Sequence, residues 1–307
     1  MRIFRRLPAH ASQPIALTIG NFDGVPRGHQ AMLARLCEAA EDLRLLPAVL
    51  TFDPHPREFF APHSAPPRLL RLRQKLQLFR TLGVAQTYVA RFDAKLAALS
   101  PAAFIEDVLV RRLNAQWVLV GDDFRFGKAR AGNIAVMRDH AATFSVEGMR
   151  TVVVGEDRAS STGVREALAA GDLARVEALL GRPFAIAGRV AHGEKLGRKL
   201  GFPTANIELP QRPPLSGIFA VRVRGLGGVP RIGVASLGVR PTIKAGARPL
   251  LEVFVFDFDE NIYGRRVSVE FVHKLRQEEK YDDLATLTRQ IEADVAQARE
   301  FFATAQA

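Results

Sequence analysis

The stretch IALTIGNFDGVPRGHQAMLARLCEAAEDL, residues 15–43, decides the fold of the first part of the chain. It opens with Ile15–Ile19, five apolar or β-branched residues in a row, which are typical of a strand buried on both faces. A glycine-bearing turn at residues 20–24 follows directly. Apolar side chains then recur at spacings of three and four and predict an amphipathic helix: Met32, Leu33, Leu36, Ala40 and Leu43.

Gly28 and His29 fall at the predicted start of this helix. Unpaired backbone N–H groups and the helix dipole attract anions at such a position. A strand, a glycine-bearing turn and a helix start with a histidine therefore predict a phosphate site. By shape alone, a first strand–helix unit without a ligand explains the stretch equally well.

The bulk composition indicates a globular protein of about two domains. The 307 residues are 48% hydrophobic and 24% charged, and a chain of this length can bury two cores. A single cysteine, Cys37, excludes an intrachain disulfide and predicts a reducing, cytoplasmic setting. Cys37 falls on the apolar side of the first helix, where it is interpreted as a core residue and not as a nucleophile.

The net charge of +11, from 43 Lys+Arg against 32 Asp+Glu, permits nucleic-acid binding but equally suits polyphosphate substrates. The arginines are scattered, and no zinc-finger spacing or RNA-recognition signature is present. Nucleic acid therefore stays a distant alternative partner. No segment approaches the roughly 20 apolar residues of a membrane span, so no membrane partner is expected.

The first half alternates strand and helix patterns, which predicts an α/β domain with a doubly wound parallel sheet. Further strands are predicted at 47–52, 87–90, 116–120 and 151–155, and further helices at 69–82, 101–113, 160–168 and 171–180. Two prolines in residues 53–58 predict an extended loop at a carboxyl strand end, where ligands tend to bind. His55 and His63 have no metal-ligand spacing and are interpreted as loop histidines.

Two other segments of the first half have both a functional and a plain structural interpretation. In GDDFRFG, residues 121–127, Phe124 and Phe126 offer flat faces to a ring system, or the segment is only a polar turn. The cluster Ser160-Ser161-Thr162 caps the next helix or, with Arg165 one turn inside it, binds a triphosphate.

Residues 181–183 read Gly-Arg-Pro and mark the predicted domain boundary. Beyond them, short strands with Gly- and Pro-rich turns predict a small antiparallel β-barrel, with strands at 186–190, 219–223, 231–236, 251–256 and 266–272. A final helix is predicted at 282–302. Its apolar stripe would comprise Leu284, Leu287, Ile291, Val295 and Ala298.

The segment HGEKLGRKLGFPTAN, residues 192–206, brings glycines and cations together in a way that suits a phosphate. It lacks the Gly-Lys-Ser/Thr ending of a Walker loop, so its glycine pattern alone is weak evidence. Glu252, in the alternating segment LEVF, is by pattern alone the outward residue of a strand.

Taken together, GNFDG with GH, GDDFRFG, SSTxxR, GFPTAN and LEVF resemble bacterial bifunctional riboflavin kinase/FAD synthetases over nearly the whole chain. The resemblance implies an FMN adenylyltransferase domain of the nucleotidyltransferase type at 1–182 and a riboflavin kinase domain at 183–307. Such an enzyme phosphorylates riboflavin to FMN with ATP, then adenylylates FMN to FAD with a second ATP and releases pyrophosphate. Its implied metal is Mg²⁺. Oligomeric state is left open.

The resemblance also implies roles for individual residues. Glu252 matches the catalytic base of the kinase, and Thr204 and Asn206 match its ligands to Mg²⁺ and phosphate. His29 and Arg165 match catalytic residues of the adenylyltransferase. The implied flavin contacts are Asp123, Phe124, Phe126 and Arg276. The implied ATP and phosphate contacts are Gly20, Asn21, Phe22, Asp23, Gly28, Ser160, Ser161, Thr162, Gly193, Lys195, Gly197, Lys199 and Gly201.

The chain departs from the family pattern at two positions. Pro26 stands where the family has the first histidine of its His-x-Gly-His motif, and Ser236 stands where it usually has asparagine. Proline offers neither a side-chain donor nor an N–H to a phosphate, so adenylyl transfer is expected to persist but to be impaired. The alternatives are a riboflavin kinase with a degenerate first domain and, more distantly, a basic nucleic-acid-binding protein.

Overall fold

The computed structural model describes residues 1–140, 143–193, 197, 200–238 and 249–305. The chain forms two compact units, Met1–Pro66 with Leu70–Gly163, and Pro67–Leu69 with Val164–Ala307. The residues between 164 and 180 thus pack with the second unit. The functional boundary after residue 182 stays a prediction.

The first unit contains a parallel sheet of six strands, in the spatial order β1-β4-β3-β2-β5-β6. The strands are β1 (Arg2–Phe4), β2 (Ile15–Ile19), β3 (Leu46–Asp53), β4 (Gln86–Arg91), β5 (Ala115–Gly121) and β6 (Ser145–Met149). All five residues of β2 are buried, as predicted. The predicted doubly wound parallel sheet is confirmed.

The strand predicted at 151–155 is wrong as a member of this sheet. Its place is taken by β6, and residues 153–158 form a small hairpin of β7 (Val153–Val154) and β8 (Asp157–Arg158). Gly155 turns the hairpin with a positive φ of 61°, a conformation that glycine adopts without strain.

The helices of the first unit follow the predicted alternation. They are α1 (Arg27–Asp42), α2 (Pro56–Phe60), α3 (Leu72–Thr81), α4 (Ala94–Ala97), α5 (Pro101–Ala103, continued by π-helical Phe104–Arg112) and α6 (Ile134–His140), with a 3₁₀ turn at Lys128–Arg130. The predicted extended loop at 53–58 is wrong in its second half. Pro56 is the first residue of α2, where proline is well tolerated, and the His55 Nδ1 accepts the Arg57 N–H at 3.1 Å.

The second unit is built around an antiparallel sheet of six strands, in the order β10-β13-β12-β11-β14-β9. The helix α7 (Ser161–Ala170) begins in the first unit and continues in the second from Val164 onward. The other elements of the second unit are α8 (Leu173–Leu180), β9 (Phe184–Arg189), β10 (Thr204–Glu208), β11 (Gly217–Arg224), β12 (Arg231–Gly238), β13 (Leu250–Val255), β14 (Arg266–Arg276) and α9 (Leu284–Thr304). The Ala191 N–H donates to the Asn206 carbonyl at 2.8 Å and draws the two ends of the sheet together. The sheet is therefore a half-barrel, with β10 as a strand that the sequence did not predict.

The C-terminal helix has the predicted position, and its predicted apolar stripe is confirmed at Val295 and Ala298. Asp283 caps it by accepting the Thr286 N–H at 2.8 Å. Leu284 is 56% exposed, so the predicted stripe is wrong in its first turn. The helix packs on the sheet through Val295 and Ala298 of the stripe together with Phe302. None of the described helices is long and apolar enough to cross a membrane.

Candidate functional sites

The parallel sheet has its topological switch point between β2 and β5. The chain continues from β2 to β3 on one side and from β5 to β6 on the other, and ligands of open α/β sheets bind outside the carboxyl ends of such strands. A half-open cavity lies at this place; the space in and above it, open solvent included, is about 710 Å³. The turn after β2, the start of α1, the loop after β5 and the segment before α7 line it.

Two helix starts meet at this cavity. A Cβ atom added to Gly28 would lie 2.5 Å from the Ala159 carbonyl oxygen, so only glycine allows α1 to approach this closely. The Ser160 hydroxyl accepts the Gly163 N–H at 3.2 Å at the start of α7. The Ser161 hydroxyl donates to the Asp23 carbonyl at 2.6 Å and ties that start to the turn after β2. The arrangement suits a bound polyphosphate.

The turn at residues 20–24 has an uncommon backbone. Phe22 adopts a positive φ of 49°, and its ring meets that of His29 edge-on with centroids 4.9 Å apart. The Asp23 carboxylate accepts the Leu70 N–H at 3.1 Å. The Asn21 Oδ1 and His29 Nδ1 are buried without a hydrogen-bond partner among the described residues, which is uncommon for buried polar atoms and often marks a place for a ligand or water.

Burial is the main cause that lowers the pKa of His29 from 6.5 to about 4. The charge of Asp23 opposes this effect, whereas the charge of Lys75 adds to it. The imidazole is therefore neutral at physiological pH. It can donate or accept a hydrogen bond but brings no charge of its own.

We expect the His29 ring to titrate near pH 4 in an NMR titration. Between pH 6.5 and about 4 the unfolded chain binds a proton at His29 that the folded chain does not, so the free energy of unfolding falls as the pH falls. The His29→Asn variant should lack this part of the slope. Equal slopes for the two proteins over that range would contradict the burial argument.

The loop after β5 also faces the cavity, but only in part. Asp123 forms an ion pair with Arg158 of β8 at 2.5 Å, and both residues line the cavity with Phe124. Phe126 is only 7% exposed and belongs to the core, where it stacks on Phe124 at 5.6 Å. Asp123 and Phe124 therefore line the cavity, whereas Phe126 lies in the core and does not line it.

Neither Pro26 nor Thr162 is among the described residues that line the cavity. Pro26 is buried as the N-cap of α1 and makes no side-chain capping bond. The Gln30 side chain donates to the Val25 carbonyl at 3.0 Å in the same turn. Thr162 is exposed on α7. Arg165 belongs to the second unit, where its Nε donates to the Pro67 carbonyl at 2.8 Å.

A second candidate site lies on one face of the antiparallel sheet. Asn206 of β10 pairs in register with Glu252 of β13, and Glu252 pairs with Ser236 of β12. Directly paired residues share a face with their side chains close together. Thr204 precedes Asn206 by two residues and therefore lies on the same face. Glu252 is thus an outward residue, as its pattern indicated, but one that stands in a polar row.

Asn206 is the buried member of this row. It is 6% exposed, its Nδ2 donates to the Thr204 carbonyl at 3.1 Å, and its Oδ1 has no partner among the described residues. A Cβ atom on Gly193 would lie 2.5 Å from the Asn206 Nδ2. The free amide oxygen and the Thr204 hydroxyl are the hard oxygen donors that Mg²⁺ prefers, so these residues fit the implied metal.

Only part of the predicted glycine-rich segment is described. The Gly197 carbonyl accepts N–H groups from Leu200 and Phe202, at 3.1 and 2.7 Å. Gly201 has a positive φ of 88°. Lys195 and Lys199 lie outside the described residues.

The structure gives Arg276 a partner within the fold. Its guanidinium binds the buried carboxylate of Asp294 through two bonds of 2.7 Å. The bond fastens β14 to α9. Near this strand end, the Ser236 hydroxyl lies 3.4 Å from the Glu278 carboxylate, a contact that no sequence pattern predicted.

Sequence reasoning also missed Arg158 and Lys75. Arg158 immediately precedes the predicted Ser-Ser-Thr cluster. Lys75 falls on the apolar side of α3 beside Leu76 and Phe79, so its spacing could have shown that it is buried.

The first unit has a nucleotide-type cavity at the switch point of a parallel sheet. The second unit has an antiparallel half-barrel with a Thr–Asn–Glu row. These two sites define the architecture of a two-site phosphate transferase. Residues 9–163 match the FAD synthetase family model and residues 180–302 the riboflavin kinase family model. The chain belongs to the family of bifunctional riboflavin kinase/FMN adenylyltransferases.

Curated relatives carry this name along almost their whole length. A protein of Haemophilus influenzae is 48% identical over 94% of this chain and 95% of its own length. One from Escherichia coli K12 is 46% identical over 93% and 92%. A crystal structure described as a macrolide-efflux protein from Streptococcus pneumoniae superposes with a TM-score of 0.81 and 26% identity, over 96% of this chain and 97% of that one.

Proposed function

We propose that the chain makes FMN from riboflavin and ATP at the polar row of the second unit, and FAD from FMN and a second ATP at the cavity of the first. The observation that carries the proposal is the meeting of two helix starts at the switch-point cavity, with Gly28 against the Ala159 carbonyl. Family membership supplies the two reactions.

In the kinase reaction, Glu252 takes the proton of the terminal ribityl hydroxyl as its oxygen attacks the γ-phosphorus of ATP, and ADP leaves. A carboxylate within reach of a hydroxyl can act in this way. Thr204 and Asn206 would hold Mg²⁺, which neutralises phosphate charge when bound.

In the adenylyl transfer, an oxygen of the FMN phosphate attacks the α-phosphorus of ATP and pyrophosphate leaves. The nucleophile is already ionised at neutral pH, so this step needs orientation and charge stabilisation but no strong base. This orientation and charge stabilisation would come from His29, the N–H groups at the start of α1, and the hydroxyls of Ser161 and Thr162. Arg165 is retained as a proposed contact of this reaction. Phe124 and Asp123 would border the flavin.

The direct test is chromatography of riboflavin incubated with the purified protein, ATP and Mg²⁺. FMN followed by FAD is expected. FMN alone would show a kinase with a silent first domain, and neither product, with oxidised or reduced flavin, would overturn the proposal. The cytoplasm, with its ATP and its reducing conditions, is the proposed location.

Gly28→Ala should reduce FAD formation by at least about tenfold, because the new methyl group meets the Ala159 carbonyl and forces the two helix starts apart. FMN formation by the same protein should stay unchanged. A control is Gly228→Ala, whose Cβ would meet nothing within 4 Å and whose backbone is not in the left-handed region. Unchanged FAD formation by Gly28→Ala would show that this close approach is not needed.

Pro26→His should accelerate FAD formation by about tenfold or more, because it restores a donor at the start of α1, and one such donor contributes about 10²–10³ in rate. Pro26→Ala is the control, since it removes the proline without adding a donor. If Pro26→His is no faster than the parent protein, the missing histidine is unimportant in this chain.

A further inference from the structure

Lys75 is a buried lysine that the reaction described above does not use. It lies on α3 among core residues and is only 8% exposed. Burying an ammonium group is costly unless the group is hydrogen-bonded and compensated. Its contacts therefore indicate what it does.

The Lys75 ammonium connects three elements below the cavity of the first unit. Its Nζ donates to the Asn21 carbonyl at 2.9 Å and to the Thr51 Oγ1 at 3.0 Å. The Thr51 hydroxyl, which is fully buried, donates in turn to the Asn21 carbonyl at 3.3 Å. The ammonium thus joins α3, the carboxyl-terminal part of β3 and the turn after β2.

The residue next to this anchor faces the cavity. Phe22 follows Asn21 with its positive φ, lines the cavity and packs edge-on against His29. A shift of the Asn21 carbonyl would therefore move Phe22 and, through it, the histidine at the start of α1.

The charge of Lys75 also reaches this helix start. It is one of the causes that lower the pKa of His29, after burial and against the opposing charge of Asp23. A positive charge at the N-terminus of a helix adds to the attraction that the dipole exerts on an anion, and it acts more strongly where water is excluded.

We propose that Lys75 is a positioning residue for adenylyl transfer, which fixes the turn at residues 20–24 and adds buried positive charge beneath the triphosphate of ATP. The proposal rests on the proposed function of the first unit. It predicts that removal of the charge weakens ATP and pyrophosphate binding at this site, even where the hydrogen bond to Asn21 is kept.

Three variants separate charge, hydrogen bonding and general effects of charge removal. Lys75→Gln keeps a donor for the Asn21 carbonyl but removes the charge, Lys75→Met removes both, and Arg80→Met removes an exposed charge from the same helix. We expect the KM for ATP in FAD formation to rise about tenfold in Lys75→Gln, the lower end of what a focused charge contributes. Lys75→Met should also lower kcat, and Arg80→Met should resemble the parent protein.

Two further measurements distinguish this role from simple support of the fold. The pKa of His29 should rise in Lys75→Gln, because a nearby positive charge is gone, and Lys75→Arg should return both this pKa and the KM toward the parent values. Circular dichroism and thermal unfolding report whether each variant is folded, and FMN formation from riboflavin shows whether the effect is confined to the first unit. If Lys75→Met does not fold, Lys75→Gln alone decides.

An unchanged KM for ATP in Lys75→Gln, with FMN formation intact, would overturn the proposal. If the parent protein makes no FAD, the proposed function of the first unit fails, and calorimetry with pyrophosphate then decides on Lys75. Pyrophosphate binding about tenfold weaker in Lys75→Gln than in the parent protein would support the role of Lys75. Equal binding by the two proteins would contradict it.

Discussion

Glu252→Gln should lower the rate of FMN formation by about 10²–10⁴-fold, the usual contribution of a general base. The amide has nearly the shape of the carboxylate but cannot accept the hydroxyl proton. Glu252 pairs in register with Asn206 and Ser236, so the substitution keeps the row on the sheet and changes only its chemistry. The rate is measured by chromatography of FMN formed from riboflavin and ATP.

The same variant provides its own control for the amount of active protein, and circular dichroism reports the folding of the unit that carries Glu252. FAD formation from added FMN and ATP should proceed at the parent rate, because that reaction uses the other unit. Glu270→Gln is a matched control, since Glu270 is also on this sheet but is paired with Arg224. FMN formation by Glu252→Gln within a few-fold of the parent rate would show that Glu252 is not the base.

His29→Ala should lower the rate of FAD formation by about 10²–10³-fold, the usual cost of losing one donor to a developing anion. The His29 Nδ1 is buried and lacks a partner among the described residues, so it can form a hydrogen bond with a phosphate bound at the start of α1. Because the ring is neutral at physiological pH, its contribution is a hydrogen bond and not a full charge. The rate is measured from added FMN and ATP.

His29→Asn should recover part of the rate, since an amide can replace one donor of the imidazole. FMN formation by both variants should match that of the parent protein. Cys37→Ala is a suitable control on the same helix, because Cys37 donates to the Leu82 carbonyl away from the cavity. Equal FAD formation by His29→Ala and the parent protein would remove His29 from the proposed site.

The sequence predicted the parallel sheet well because its central strands are continuous apolar runs. Ile15–Ile19 is buried along its whole length, and periodicity alone identifies it. The edge strand β6 escaped prediction because it contains a glutamate and a glycine. Glu147 is charged but forms an ion pair with Arg35, and Gly148 leaves room for Ile134 of α6. Tertiary contacts, which no local pattern contains, make this segment a strand.

Some of the site residues could likewise be predicted from the sequence, and others could not. Gly28, His29, Ser160 and Ser161 could be placed together because helix starts at the ends of parallel strands converge at one edge of the sheet. The burial of Phe126 could not be foreseen, because it depends on a bridge to Gly132 that folds the loop back on itself. For Arg276, the partner is Asp294, 18 residues away on α9, and no local pattern shows that this carboxylate is buried.

The central claim is that two separate sites act in succession through free FMN. Mixing the Glu252→Gln and His29→Ala proteins with riboflavin, ATP and Mg²⁺ tests it most directly. Each protein alone should form less than about one-hundredth of the parent amount of FAD. The mixture should form FAD readily, because FMN made by one protein is adenylylated by the other. A mixture as inactive as its components, or abundant FAD from either protein alone, would contradict the account.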